Sequence, residues 1–183
     1  MKTHYFIVPG YRGSGSKHWQ TYFEQSQSNI IRIEQKDWDH PNIQEWAENI
    51  EKAIAEFSPN DVVLVAHSLG CLTVAAWAEK YNRKIKAALL VAPPDDKLIN
   101  QRVSRDLIKR TPSRRFPFPT TLVASTNDPW ASIEKAQFYA EQWGSDFMNI
   151  GAAGHINADS GHYQWEEGLK ILRNLEKRVA IKL

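Results

Sequence analysis

The stretch Asp61-Val62-Val63-Leu64-Val65-Ala66-His67-Ser68-Leu69-Gly70 leaves the chain little freedom in how it folds. Its five consecutive apolar residues, Val62 to Ala66, predict a strand buried on both faces. That strand runs without a loop into Ser68, and beyond it Leu69, Leu72, Thr73, Ala76 and Trp77 recur at helical spacing. A strand must therefore become a helix at the serine itself. Ala66 and Gly70, small residues on either side, let the two elements approach closely while Ser68 takes strained backbone angles. Leu69 opens the helix, so its N–H is expected to face any anion that forms beside Ser68. A serine that merely satisfies a turn is the plainer reading, but the strand–motif–helix context favours an exposed nucleophile.

Composition narrows the class. At 183 residues the chain is long enough for one domain, 1–183, with a substantial core. A formal charge of +2 argues against nucleic acid as the main partner. Cys71 is the single cysteine, so no intramolecular disulfide can form, and a reducing compartment suits the chain. The first apolar run, Tyr5 to Val8, is too short for a signal-peptide core or a bilayer span. The expectation is a cytoplasmic protein with no membrane association. Seven tryptophans are many for this length, and such residues either fill cores or line ligand pockets.

Taken in order, Tyr5–Val8 predicts a strand ended by Pro9-Gly10, and a helix is expected from near Ser16 with Trp19, Tyr22 and Phe23 on one face. Asn29–Ile33 predicts a second strand. Ile43, Trp46, Ala47, Ile50, Ala53, Ile54 and Phe57 give a strong amphipathic helix. After the serine helix come a strand over Ile85–Val91, an irregular basic segment over Lys97–Phe116, and a strand over Thr120–Ser125. A helix through Ile133, Ala136, Tyr139 and Ala140, a short strand over Asp146–Ile150 and a closing helix from Trp165 to Val179 complete the chain. The basic segment is read as a solvated helix and loop, since runs of charge mostly face water. Strand and helix alternate six times, which predicts an α/β fold: a parallel sheet of about six strands with helices on both faces.

In such sheets ligands sit beyond the carboxyl ends of the strands, and the candidate chemistry falls there. Ser68 follows the third strand, Asp128 the fifth and His155 the sixth. A serine hydroxyl needs a base within hydrogen-bond reach, histidine is the usual one, and a carboxylate on the far ring nitrogen fixes its tautomer. The order Ser68…Asp128…His155 is that of one known arrangement of the three groups. His162 is the rival base, and Asp95 or Asp96 the rival acid. His67 is read as structural, Cys71 as a packed thiol, and Asp159 as serving its loop; His18 and His40 are placed to touch a pocket. Acyl transfer also needs donors for the oxyanion. The backbone N–H groups of Leu69 and Tyr11 are the candidates, with Gly10 supplying the close turn.

Several pieces together resemble one family. They are Val8-Pro9-Gly10, His18-Trp19-Gln20, Gln35-Lys36-Asp37-Trp38-Asp39-His40-Pro41, Ala66-His67-Ser68-Leu69-Gly70, Asn127-Asp128-Pro129 and Gly154-His155-Ile156-Asn157. The chain resembles the compact α/β-hydrolase family of serine hydrolases typified by retinoblastoma-binding protein nine. The resemblance implies a small sheet without a sizeable lid, Ser68 as nucleophile, Asp128 as acid and His155 as base. Pro9 stands where a histidine often precedes the glycine of hydrolase oxyanion loops, and Ala66 stands for the first elbow glycine. No L-x-C-x-E string occurs, so the family's name says nothing of protein partners.

The resulting expectation is a hydrolase of small esters, thioesters or amides acting through an acyl-enzyme, with no metal or cofactor. Gly10, Trp38 and Trp130 are expected to line its pocket. The alternative is a binding or scaffold protein that keeps this fold and turns over little.

Overall fold

A computed structural model describes residues 2–181. The apolar run is strand β3, Val62–His67, and every residue in it is buried. It lies between β1 (His4–Val8) and β4 (Ala87–Val91), with Val8 beside Ala66 and Val91 beside His67. With β2 (Ile30–Arg32), β5 (Thr120–Ala124) and β6 (Asp146–Asn149), they form one parallel six-stranded sheet in the order β2-β1-β3-β4-β5-β6. The chain steps outward from β1 to β2 and then returns across β1 to β3. That reversal opens a crevice at the carboxyl ends of β1 and β3, the place where open α/β sheets bind ligands.

Among the described residues six α-helices cover the sheet: α1 (Trp19–Ser26), α2 (Ile43–Ile54), α3 (Leu69–Tyr81), α4 (Asp96–Arg102), α5 (Ile133–Trp143) and α6 (Glu166–Ile181). Side-chain caps set the starts of α1, α2, α4 and α5. Asn42 accepts from the Gln44 and Glu45 amides and Ser132 from that of Lys135. α3 and α5 stop at left-handed residues, Asn82 and Gly144. Alternating strand residues feed two cores. Phe6, Val8, Leu64, Ala66 and Leu90 pack with α2, α3 and α5, and Ile99 of α4 joins them. Ile7, Val63, Val65, Leu89 and Val91 pack against Trp19 and Phe23 of α1 and the apolar stripe of α6.

The element boundaries moved where local chemistry overrode the pattern. α1 begins at Trp19 rather than near Ser16 because His18 is its cap, Nδ1 accepting the Gln20 N–H. β2 keeps three residues, as expected of an edge strand paired on one side only. α6 begins at Glu166 because Trp165 takes a φ of 42°. The basic segment differs more. It holds α4 and buries Ile99, Ile108 and Phe116 in the first core, so it is not simply solvated. Its charges are also dispersed: Arg102 donates to the Pro129 carbonyl and Arg110 pairs with Glu79. No helix among the described residues is long and apolar enough to cross a membrane.

Candidate active site

Ser68 stands between β3 and α3 at φ 52° and ψ −126°, a conformation that costs a side-chain-bearing residue free energy. Three contacts hold it there. The Ser68 N–H donates to the Val91 carbonyl at 2.9 Å, its carbonyl accepts from the Cys71 N–H at 2.9 Å, and Gly70 lies against the Val8 carbonyl. A Cβ on Gly70 would overlap that backbone oxygen, so the crossing of α3 over β1 requires glycine here.

His155 comes to the serine from the loop after β6. Its Nε2 lies 2.9 Å from Ser68 Oγ, and its Nδ1 lies 2.9 Å from both carboxylate oxygens of Asp128. The side chains of His155 and Asp128 are 8% and 4% exposed, so this contact is sheltered from solvent. Three groups from three loops thus form one hydrogen-bonded line, as the sequence order led us to expect.

Neighbouring residues hold the line in place, among them His67 in the structural role expected of it and Ser125 and Asn127, to which the sequence analysis gave no role. Ser125 Oγ donates to Asn127 Oδ1, which also accepts the Gly154 N–H at 2.7 Å, while Ser125 Oγ accepts the Ala153 N–H. The Asp128 loop and the His155 loop are therefore stapled together. His67 Nε2–H donates to the carbonyl of His155 at 2.9 Å, and Trp19 Nε1–H donates to that of Ile156 at 2.8 Å. Burial, then the neighbouring His18 and His155, push the His67 pKa well below its ordinary value, so that ring is a neutral, fixed donor. Gln20, fully buried, donates to the Val65 carbonyl. The buried polar residues of His18-Trp19-Gln20 were the available signal, since such groups rarely lack partners.

The loop after β1 also reaches the serine. A Cβ on Gly10 would come within 2.9 Å of Ser68 Cβ and 3.1 Å of Leu69 N, so the loop after β1 passes directly against the elbow. Among the described residues, neither the Leu69 nor the Tyr11 N–H donates to a backbone carbonyl.

Comparison with known proteins decides the family. A family model described as serine hydrolase matches residues 5–174. The chain belongs to the serine hydrolase family. It is 31% identical to a YdeN-like hydrolase from Pectobacterium atrosepticum, with a TM-score of 0.86 over 97% of this chain and 92% of that one. The ydeN gene product of B. subtilis is 17% identical at a TM-score of 0.78, covering 95% of this chain and 98% of that one. Mouse alpha/beta hydrolase domain-containing protein 10 is 13% identical at 0.75, covering 96% and 90%. At the last two identities the likeness concerns fold alone. No curated protein matches the chain significantly.

The hydrolase carries a cavity of about 500 Å³ beside Ser68 and His155. Gly10, Tyr11 and Trp130 line it, as expected for Gly10 and Trp130, and Ile99 of α4 joins them. Ile99 was overlooked because its segment was read as solvated. Trp38 corrects the expectation: it does not line the cavity. Its indole packs edge-to-face on Trp46, 5.4 Å between centroids, and its carbonyl accepts the Arg12 N–H. The loop after β2 folds back onto the α2 side of the sheet, so Trp38 braces the loop after β1 from behind.

The rivals are placed elsewhere in the hydrolase. His162 Nδ1 contacts Ser160 Oγ. Asp95 caps α4, and Asp96 is bound by Lys135 and Tyr139. His40 pairs with Asp37 on the surface. Cys71 is fully buried, donates to the Val91 carbonyl and has its pKa pushed up by burial, as a packed thiol should. A larger cavity, about 760 Å³, lies between α3 and the 104–112 segment and shares no lining residue with the Ser68 cavity. Two of the cations lining it are already paired, Arg110 with Glu79 and Lys80 with Glu48. Among the described residues, no group of three or more His, Cys, Asp or Glu side chains is placed to hold a metal ion.

Proposed function

We propose that Ser68, His155 and Asp128 are the catalytic triad of a hydrolase that cleaves small esters through an acyl-enzyme. The 2.9 Å contact between Ser68 Oγ and His155 Nε2, with Asp128 at the other ring nitrogen, carries the reading. Ser68 Oγ attacks the ester carbonyl carbon as its proton passes to His155 Nε2. Asp128 holds the Nδ1 proton and stabilises the imidazolium. The Leu69 and Tyr11 N–H groups take the oxyanion, each such donor contributing about 3 kcal/mol to barrier lowering. Collapse expels the alcohol, which leaves with the proton from His155. Water then repeats the sequence on the acyl group: His155 takes its proton, and Ser68 departs carrying it back.

Short acyl groups fit best, because the cavity of about 500 Å³ must hold both halves of the ester. Residues 1–183 act as one catalytic domain in this reading, and the buried, unpaired Cys71 thiol suits a cytoplasmic location. A fluorophosphonate probe and a 4-nitrophenyl ester series from acetyl to octanoyl test it together. Wild type should label and should favour the short esters; Ser68→Ala should do neither. Labelling that persists in Ser68→Ala would remove the serine from the mechanism.

A further inference from the structure

Asp128 is held from behind as well as by His155. Among the described residues it accepts one hydrogen bond besides its contacts with His155 Nδ1: the Trp130 N–H reaches Oδ1 at 2.9 Å. The terminal torsion of an aspartate is soft, so a carboxylate tied only to a histidine ring could turn. The Trp130 amide restrains that turn.

The amide is itself clamped. The oxygen of the same peptide unit, the Pro129 carbonyl, accepts from Arg102 Nη1 at 2.9 Å. One peptide thus carries a guanidinium at its oxygen and the Asp128 carboxylate at its N–H. A peptide is planar, so fixing its oxygen fixes the direction of its N–H. A charge-assisted bond at the oxygen also polarises the unit and strengthens the N–H as a donor. Arg102 is exposed, yet its guanidinium carbon lies 5.2 Å from the centroid of the Trp130 ring, a second contact that keeps it in place. The helix beneath it is anchored too. Arg102 ends α4, Asp95 at the other end donates its N–H to the Trp130 carbonyl at 2.8 Å, and Ile99 between them is buried. Asn100 ties the same helix to the backbone of Ile108 at 2.9 and 2.8 Å.

We infer that Arg102 is a positioning residue: it fixes the Pro129–Trp130 peptide and, through that N–H, the Asp128 carboxylate behind His155. The inference rests on the triad reading above. The rival role is adhesive, an arginine that pins α4 to the loop or shields the Trp130 wall of the cavity without acting on Asp128. Only the positioning role makes the effect of losing Arg102 depend on Asp128.

A double-mutant cycle separates the two. Arg102→Met keeps an apolar stem over Trp130 and loses the donor. Arg102→Lys keeps a cationic donor, and Asp128→Ala removes the group through which Arg102 acts. The readout is kcat/KM for 4-nitrophenyl butanoate with the Ser68→Ala rate subtracted, alongside the melting temperature of each variant. Arg102→Met should lower kcat/KM by about tenfold, on the scale of one hydrogen bond. Arg102→Lys should recover most of that loss. In the Asp128→Ala background, Arg102→Met should change kcat/KM by less than about twofold. A wild-type kcat/KM in Arg102→Met, or a tenfold loss that persists without the Asp128 carboxylate, overturns the inference. Hydrolysis that needs Ser68 and Asp128 but not Arg102 removes this inference alone. Hydrolysis that needs neither Ser68 nor Asp128 removes the triad reading, and this one with it.

Discussion

The two ends of the parallel sheet are built on different terms. On the connections that lead back into the sheet, left-handed residues fall on the helix ends Asn82 and Gly144, the ordinary way to stop a helix, and on Asp106 at 60° in the irregular stretch before β5. Where strands leave it, side-chain-bearing residues take positive φ in the loops themselves: Arg12 at 64°, Ser68 at 52°, Ala92 at 51° and Ile156 at 49°. Each costs roughly 1–3 kcal/mol, and each lies within two or three residues of a group in the candidate site or of a strand end beside it. Between the two ends, β3 and β4 are buried throughout. A fully buried Val or Leu side chain contributes about 1.5–3 kcal/mol. A few strained residues are therefore tolerable because the strands that carry them are anchored by many unstrained ones. Stability resides in the strands and chemistry at one rim.

The sharpest way to break that division is to exchange the two kinds of damage. Asp128→Asn leaves an acceptor for the Trp130 N–H and removes only the charge behind His155. It should lower kcat/KM by about 10⁴-fold, from the wrong imidazole tautomer, and move the melting temperature by no more than a few degrees. Leu64→Ala, in the middle of fully buried β3, should do the reverse. It should cost about 2–5 kcal/mol in denaturant unfolding while kcat per folded molecule stays near wild type. An Asp128→Asn protein that unfolds, or a folded Leu64→Ala protein that has lost its kcat, would show that rim and strands are not separable.

That division also explains what was legible from the residues alone. The central strands are uninterrupted apolar runs, and a run such as Val62–Ala66 has few alternatives to a buried parallel strand. The positions of Ser68 and Asp128 were legible for the same reason: each follows a buried strand, and the strand ends of a parallel sheet point one way. His155 follows β6, a largely exposed edge strand, so its chain order after Ser68 and Asp128 was the signal there. Trp38 and Ile99 were misjudged because their placement depends on how a loop folds back, which no local pattern encodes. A tryptophan after a strand end can face the cavity or brace it, and only the packing against Trp46 decides. The staples through Asn127 and Ser125, and the partner of His67, were missed for a related reason. Their partners are backbone atoms tens of residues away, and backbone atoms leave no mark in a sequence.

The smallest effect bears most directly on strain. In Ser68→Gly the elbow loses its Cβ at φ 52°, ψ −126°, where only glycine is comfortable. The one side-chain hydrogen bond lost is that to His155 Nε2. Relief of roughly 1–3 kcal/mol exceeds the roughly 0.5–1 kcal/mol by which glycine's added freedom favours the unfolded chain. Against Ser68→Ala the net is a gain of about 1 kcal/mol, or about 2–4 °C in melting temperature for a chain of this size. Ser68→Ala loses the same hydroxyl and keeps the strained Cβ, so it isolates the backbone contribution. If glycine melts above alanine at position 68, strain at the rim is being stored by the fold. If glycine melts at or below alanine, the elbow is unstrained in solution, and the contrast between the two ends of the sheet would have to rest on chemistry alone.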